Sequence, residues 1–138
     1  MNKSPDFRNT LMEALGMKIL PMQNGKYYAS MPVDHRTVQI QGCLHGGASI
    51  ALAETLAGYA SSTLCSQEEF PVGISVTANH INTACAGTVI AEATPIKLGK
   101  RLHLWQVDIL NDNKDILNDN KDILSTVRIT NYLISHNS

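Results

Sequence analysis

The longest run of apolar and small side chains in this sequence spans positions 42–62. Over about four helical turns the run shows no polar stripe, which predicts a helix that is buried on most sides. Glu54 interrupts it as the only formally charged side chain between His45 and Glu68. Because an ionised carboxylate is costly to remove from water unless it is paired or neutralised, we expect Glu54 to be a perturbed acid in a chemical site. The alternative is a buried acid that accepts hydrogen bonds from loop amides.

The sequence before this run predicts a short helix and then a hairpin. Ser4-Pro5-Asp6 supplies a capping hydroxyl, a proline and an acid, which are typical of a helix start, and Gly16 ends the helix. Asn24-Gly25 separates the short apolar segments 17–22 and 27–31, which predicts two strands joined by a tight turn.

After the central run, the spacing of apolar residues changes to the two-residue period of strands. Apolar and polar side chains alternate over 72–79, which predicts a strand with one buried face, and further strand segments cover 87–95, 101–110 and 122–134. The predicted order is a hairpin, one long buried helix and about three long antiparallel strands. This order indicates an α+β fold in which one sheet wraps around one helix.

Length and composition predict a single domain over residues 1–138, because 138 residues with 43% hydrophobic content can bury one sizeable core. An exact repeat, NDNKDIL, fills positions 111–117 and 118–124. Its turn-like composition favours a repeated, lengthened hairpin turn over 111–124 rather than a binding element. Since seven is an odd number, a bulge or an irregular loop must absorb the extra residues.

Charge and cysteine content narrow the class of protein. The net charge is −1 and the basic residues are scattered, which argues against nucleic-acid binding. Cys43, Cys65 and Cys85 lack CxxC or CxxH spacing, which favours free thiols in a reducing compartment over disulfides or zinc. No segment has the features of a signal peptide or a membrane span, so we expect a soluble cytoplasmic protein.

Two adjacent glycines, Gly46 and Gly47, lie where the central helix is predicted to begin. Amide hydrogens in a first helical turn have no partner within the helix, and the positive end of the helix dipole favours negative charge there. Without side chains the glycines also let a ligand approach closely, which predicts a site for a developing oxyanion. The alternative is that they only permit a tight corner between loop and helix.

The spacing between these glycines and the glutamate predicts a dimer. Eight residues separate Gly46 from Glu54, about 12 Å along a helix. Both groups must lie within about 3 Å of one reacting carbonyl. Two copies with antiparallel helices would bring the Gly46 amide of one to the Glu54 carboxylate of the other. We therefore expect a homodimer with two shared active sites.

Several short motifs share one pattern: GCLHGGASIALAE at 42–54, Val72-Gly73, Asn79-His80 and Gly99-Lys100. This pattern resembles the hotdog-fold acyl-CoA thioesterases of the PaaI-like group. It is similar to the branch with the Arthrobacter-type 4-hydroxybenzoyl-CoA thioesterase and 1,4-dihydroxy-2-naphthoyl-CoA thioesterase. The resemblance covers about residues 17–134. It implies a hotdog fold, a homotetramer built as a dimer of dimers, and catalysis without a metal or cofactor.

The resemblance also implies a set of catalytic roles. In that family the acid on the central helix attacks the thioester or activates water, which makes Glu54 the nucleophile or the general base. The Gly46 amide would polarise the thioester carbonyl, Gln39 would help to orient it, and His45 would hold the loop in place. Gly47 belongs to the predicted substrate-binding surface.

Coenzyme A contacts are implied by the same resemblance. His80 matches a coenzyme A contact, and Lys100 with Arg101 matches basic groups near the nucleotide phosphates, where charge-assisted hydrogen bonds suit them. Two positions depart from the family pattern. Gly58 replaces a Ser or Thr that positions water or the acyl group, and Asn82 replaces an arginine. Both remain in the predicted substrate-binding set.

The favoured function is therefore hydrolysis of an acyl-CoA, with an aromatic or medium-chain acyl group, to a free acid and coenzyme A. A hotdog hydratase or dehydratase is one alternative, although it would normally pair a catalytic histidine with an acid. A non-catalytic acyl-CoA binding or sensing protein is another, and Gly58 is compatible with it. His35 and His103 have no evident partner and are predicted to be exposed.

Overall fold

The computed structural model describes residues 5–112 and 122–136. This part of the chain forms two helices and six strands. In chain order they are α1 Leu11–Ala14, β1 Lys18–Gln23, β2 Lys26–Pro32, α2 Gly46–Leu64, β3 Glu69–His80, β4 Thr88–Leu98, β5 Leu102–Asn111 and β6 Ile123–Ser135. The predicted hairpin and central helix are present, with four rather than about three long strands after α2.

All six strands join one antiparallel sheet in the order β1-β2-β4-β5-β6-β3. Helix α2 packs across one face of this sheet, which confirms the α+β prediction of one sheet around one helix. Burying each large apolar side chain stabilises a fold by about 1.5–3 kcal/mol, so this layer is the main source of stability. Its fully buried side chains include Leu52, Leu56, Trp105, Val107 and Ile129.

The first hairpin is confirmed in detail. Asn24 and Gly25 have φ angles of 53° and 77°, the pair of positive values that a two-residue type I′ turn requires. Lys18 pairs with Ser30 and Gln23 with Lys26 across the turn.

The predicted helix start at Ser4-Pro5-Asp6 is wrong for the residues that the structure describes. Asp6 instead forms an ion pair with Arg8 at 2.7 Å, and α1 begins only after Thr10. The Thr10 hydroxyl accepts a hydrogen bond from the Glu13 amide at 3.3 Å, so it supplies the cap that the sequence pattern assigned to an earlier residue.

Strand β3 forms one edge of the sheet and pairs with β6. Its apolar residues Phe70, Ile74 and Val76 remain 38%, 57% and 37% exposed. A register shift between Gly73 and Ser75 also breaks the two-residue alternation. The predicted buried face of this strand is therefore not formed within a single chain. An exposed, apolar edge strand is a surface suited to pairing with another strand.

The hairpin between β5 and β6 is described up to Asp112 and again from Asp122. At its base the Asn111 amide donates to the Asp122 carbonyl at 2.9 Å. A register shift between Ile109 and Leu110 inserts one extra residue, Leu124, into β6. The tip of the predicted lengthened turn lies outside the described residues.

The prediction of free thiols is wrong for two of the three cysteines. Cys43 and Cys85 form a disulfide, with Cα atoms 3.9 Å apart, while Cys65 is free. The two loops meet because the Leu44 amide donates to the Ala84 carbonyl at 2.8 Å, a contact that spacing along the chain does not reveal. The cysteines of this chain therefore do not indicate a reducing compartment.

We expect thiol titration of the unfolded protein, without reductant, to detect only Cys65. Reduction should lower the free energy of unfolding by about 2–4 kcal/mol, because the crosslink restricts the unfolded chain. A Cys65→Ser variant serves as the control and should keep this sensitivity to reductant. Detection of all three thiols before reduction would contradict the disulfide.

Candidate active site

Helix α2 begins at a turn that leaves one amide group free. His45 caps the helix: its Nδ1 atom accepts a hydrogen bond from the Gly47 amide at 2.8 Å. Its carbonyl accepts from the Ala48 and Ser49 amides at 3.0 and 3.2 Å. Within the described part of the chain, nothing accepts the Gly46 N–H. This amide, at the positive end of a 19-residue helix, is available to an anionic ligand atom.

The Gly46 backbone lies directly against the His80 ring. A Cβ atom added at Gly46 would be 2.7 Å from His80 Nε2. The ring is held on its other side by a 2.7 Å hydrogen bond between its Nδ1 atom and the Ser125 hydroxyl, and Ser125 is buried. Glycine is therefore required at position 46 as long as His80 keeps this position.

A cavity of about 230 Å³ opens beside this turn. It brings together Gln39, Gly46, His80 and Asn82, four of the residues that the sequence singled out. The loop that carries Gln39 is closed by a 2.8 Å hydrogen bond from the Gln39 amide to the Cys43 carbonyl. The full lining consists of Gln39, Leu44, Gly46, Ser49, His80, Asn82, Thr83 and Ser125.

Glu54 is exposed. The prediction that it is buried is therefore wrong for the single chain. Gly47 and Ser62, two helical turns away on either side, are exposed as well, which gives α2 an uncovered face. This face was hidden in the sequence because glycine and serine count as small residues but need not be buried. The Glu54 carboxylate lies over Gly73 of β3, with Oε2 3.2 Å from where a Gly73 Cβ would be.

One chain does not bring the predicted acid and the predicted oxyanion donor together. Glu54 is not part of the lining of the cavity at Gly46, and the rise of α2 places the two residues about 12 Å apart. The shared site therefore stays a prediction that needs a second subunit.

Gly58 lies one helical turn after Glu54 and is half-buried. A Cβ atom added there would have no neighbouring atom within 4 Å. There is consequently room for a Ser or Thr side chain at this position, although the chain has none.

Lys100 and Arg101 lie apart from these groups. They line a cavity of about 500 Å³ together with Lys97, Gly99, Leu102, Leu104 and Thr130. Leu104 and Thr130 alternate with residues that face α2, so this cavity opens on the outer face of the sheet. The single chain thus separates the basic cluster from the cavity beside Gly46.

Sequence reasoning missed a buried polar group between α2 and the sheet, which we call the Ser61 cluster: Ser61, His103, Trp105 and Asn131. His103 is only 4% exposed, so the prediction of an exposed position is wrong, whereas His35 is exposed as expected. The Ser61 hydroxyl lies 2.8 Å from His103 Nδ1, 2.9 Å from Trp105 Nε1 and 3.0 Å from Asn131 Nδ2.

The hydrogen bonds of this cluster fix the protonation of His103. The Trp105 and Asn131 nitrogens can only donate, so they use both acceptor positions of the Ser61 hydroxyl. The hydroxyl hydrogen is then directed at His103 Nδ1, which must be unprotonated. In agreement, burial lowers the pKa of His103 from its ordinary value of 6.5, against a smaller opposing effect of Glu69.

This lowered pKa predicts that stability falls in mildly acidic solution. Below pH 6.5 the unfolded histidine binds a proton that the folded His103 does not, so the free energy of unfolding decreases as the pH falls. The stability that neutral His103 contributes is fully present above pH 6.5. It is lost as the pH falls, at up to about 1.4 kcal/mol per pH unit. Denaturant titrations from about pH 7.5 to about pH 5 should show a weaker dependence in His103→Gln. The exposed His35→Gln serves as the control, and equal slopes in the parent and His103→Gln would contradict the prediction.

The sequence did contain a signal for this cluster. Asn131 follows the inward-facing Ile129 and precedes Leu133 at two-residue spacing, and His103 stands in the same relation to Trp105. A polar side chain at an inward position of a strand is expected to have a buried partner. The partner Ser61 could not be identified, because it lies on the helix more than 40 positions away.

The candidate site of one chain therefore offers one backbone amide, one imidazole and two carboxamide side chains, and the Glu54 carboxylate lies apart from them. Among the described residues, no three His, Cys, Asp or Glu side chains come together in a way that would hold a metal ion. No helix in residues 5–112 and 122–136 is long and apolar enough to cross a membrane.

Comparison with known proteins agrees with this fold. Residues 41–117 match the Thioesterase superfamily. The chain is 44% identical over 85 residues to 1,4-dihydroxy-2-naphthoyl-CoA hydrolase of Escherichia coli, covering 61% of this chain and 62% of that protein. It is 36% identical over 104 residues to the proofreading thioesterase EntH of Klebsiella pneumoniae, covering 75% and 76%. A solved thioesterase of Haemophilus influenzae superimposes with a TM-score of 0.83 at 37% identity, covering 93% of this chain and 85% of that one.

The chain belongs to the thioesterase superfamily, and its fold is the hotdog fold. By class it is a thioester hydrolase. The predicted family, fold and enzyme class are thus confirmed.

Proposed function

We propose that this chain hydrolyses an acyl-CoA, with an aromatic or medium-chain acyl group, to a free acid and coenzyme A. The observation that carries the proposal is that α2 presents a free amide at Gly46 and an exposed carboxylate at Glu54. The amide suits the oxyanion that forms when a thioester carbonyl is attacked. The similarity to a hydrolase named for a CoA thioester supports this substrate class.

In this mechanism Glu54 is the nucleophile or the general base, and the Gly46 amide polarises the thioester carbonyl. Gln39 lines the cavity at Gly46 and helps to orient the carbonyl. His45 acts indirectly. Because its Nδ1 atom accepts a hydrogen bond from the Gly47 amide, it holds the turn in which the Gly46 amide stays free for the substrate.

The remaining predicted site residues bind the coenzyme A and acyl portions of the substrate. His80 and Asn82 line the same cavity as Gly46 and contact the pantetheine or nucleotide. Gly47 and Gly58, on the uncovered face of α2, leave room for the acyl group. Lys100 and Arg101 bind nucleotide phosphates through charge-assisted hydrogen bonds. Because they line a separate cavity on the outer sheet face, the proposal has them serve the site of another subunit.

A homodimer completes the site. Pairing of the exposed β3 edges of two copies would cover Ile74 and Val76 and extend the sheet. It would also bring the uncovered face of α2 in one subunit to the other, so that the Gly46 amide of each meets the Glu54 carboxylate of its partner. Two such dimers, joined through their outer sheet faces, form the proposed dimer of dimers.

Release of free thiol from a panel of acyl-CoAs tests this function. Aromatic and medium-chain acyl-CoAs should be hydrolysed faster than acetyl-CoA, and Glu54→Gln serves as the inactive control. Saturable binding without thiol release from any acyl-CoA would indicate a binding or sensing protein. Addition of water across an enoyl-CoA would indicate a hydratase. Either result would overturn the proposal.

A further inference from the structure

Three residues form a row across the sheet beneath Glu54. Asn131 of β6 is directly opposite Gly73 of β3 on one side and His103 of β5 on the other. Directly opposed residues of antiparallel strands place their side chains on the same face, which here is the face that packs against α2. Asn131 therefore lies between the carboxylate of Glu54, which extends over Gly73, and the other members of the Ser61 cluster.

The orientation of the Asn131 amide is fixed by its partners. Nδ2 donates to the Ala57 carbonyl at 3.1 Å and to the Ser61 hydroxyl at 3.0 Å. Because a carbonyl can only accept, the nitrogen must face α2 and the oxygen must face Gly73. With only 2% of the residue exposed, the side chain has no room to turn around.

The Asn131 oxygen and the Glu54 carboxylate border the same small space. Asn131 Oδ1 is 3.7 Å, and Glu54 Oε2 3.2 Å, from the point that a Gly73 Cβ would occupy. No donor among the described residues bonds to Oδ1. Two acceptor oxygens that border one space suit a molecule with two hydrogens to donate, and water is the smallest of these.

We propose that Asn131 Oδ1 and the Glu54 carboxylate together hold and orient the water that attacks the thioester. The proposal rests on the proposed function and gives Glu54 the role of general base. One water hydrogen is donated to Asn131 and the other to Glu54, which directs a lone pair of the water oxygen toward the substrate carbonyl.

In the reaction, the water oxygen forms a bond to the thioester carbonyl carbon while Glu54 accepts a water proton. Collapse of the resulting oxyanion breaks the bond between carbon and sulfur. The departing thiolate of coenzyme A takes the proton from Glu54, so that water and acyl-CoA become free acid and thiol. Asn131 is neither protonated nor deprotonated in these steps, and its role is to orient the water.

Kinetics of two variants on the acyl-CoA that the parent hydrolyses fastest test the proposal. Asn131→Ala should lower kcat by about 30- to 100-fold with KM changed less than about threefold, because a misplaced nucleophile costs rate rather than binding. Ser61→Ala is the matched control: it breaks the Ser61 cluster but leaves the bond from Asn131 to the Ala57 carbonyl, and it should keep kcat within about fivefold.

Failure of the Asn131 proposal and failure of the proposed function give different results. Equal losses of kcat in Asn131→Ala and Ser61→Ala would show that Asn131 only supports the packing of α2 and would overturn the proposal. If Asn131→Ala does not fold, as judged by circular dichroism and gel filtration, Asn131→Ser replaces it, since its hydroxyl retains a donor for α2 and is too short to reach the space bordered by Glu54. A parent without thioesterase activity would instead refute the proposed function.

Discussion

Replacing Glu54 with glutamine should lower kcat by at least about a thousandfold, with KM changed little. Glutamine keeps the size and most of the hydrogen bonding of the side chain, but it can neither attack a thioester nor accept a proton from water. The exposed position of Glu54 on α2 means that the substitution removes no packing, so the fold should be unaffected. Steady-state kinetics and a thermal unfolding curve on the same preparation check both statements.

Glu68→Gln is the matched control for this variant. Glu68 is an exposed glutamate in the loop after α2, and the same change of charge there should leave kcat within about twofold. A loss of less than about tenfold in Glu54→Gln would rule out a chemical role for this carboxylate.

Mixing two inactive variants, Gly46→Ala and Glu54→Ala, should restore thioesterase activity. Gly46→Ala places a methyl group 2.7 Å from His80 Nε2, which disturbs the turn that presents the amide, while Glu54→Ala removes the carboxylate. If each site takes one group from each subunit, a heterodimer of the two variants has one intact site and one doubly damaged site. Random exchange of subunits should therefore recover about a quarter of the parent activity.

Two affinity tags, one on each variant, allow purification of the heterodimer. Remixing Glu54→Ala with a differently tagged Glu54→Ala provides the baseline, since no combination of those subunits has an intact site. Heterodimers that are verified by both tags and remain inactive would show that each site is built from one chain.

Elements whose determinants are local could be predicted from the sequence. The Asn24-Gly25 turn needs positive φ angles that these two residues tolerate best, and its hairpin was predicted correctly. The start of α2 at Gly46 follows from a change from polar to apolar residues over a few positions. Thr10, by contrast, was overlooked as the cap of α1, because the chain offers several hydroxyl and acidic residues near the N-terminus and only the folded backbone selects one of them.

Predictions about burial were less successful, because burial depends on what the rest of the chain covers. Glu54 was expected inside and is exposed, whereas His103 was expected outside and is buried. The two-residue period of β3 correctly indicated a strand, but one chain leaves this strand at the edge of the sheet with apolar side chains uncovered.

The sequence by itself determined the class of fold, the order of its elements and the glycine turn before the acid on α2, because each depends on residues that are neighbours along the chain. Only the tertiary structure decided which groups meet. It joined Cys43 to Cys85, placed His80 against Gly46 and set Asn131 beside the space under Glu54. Contacts between residues 34 to 77 positions apart arise from strand order and from the packing of α2 on the sheet, and no pattern of nearby residues encodes them.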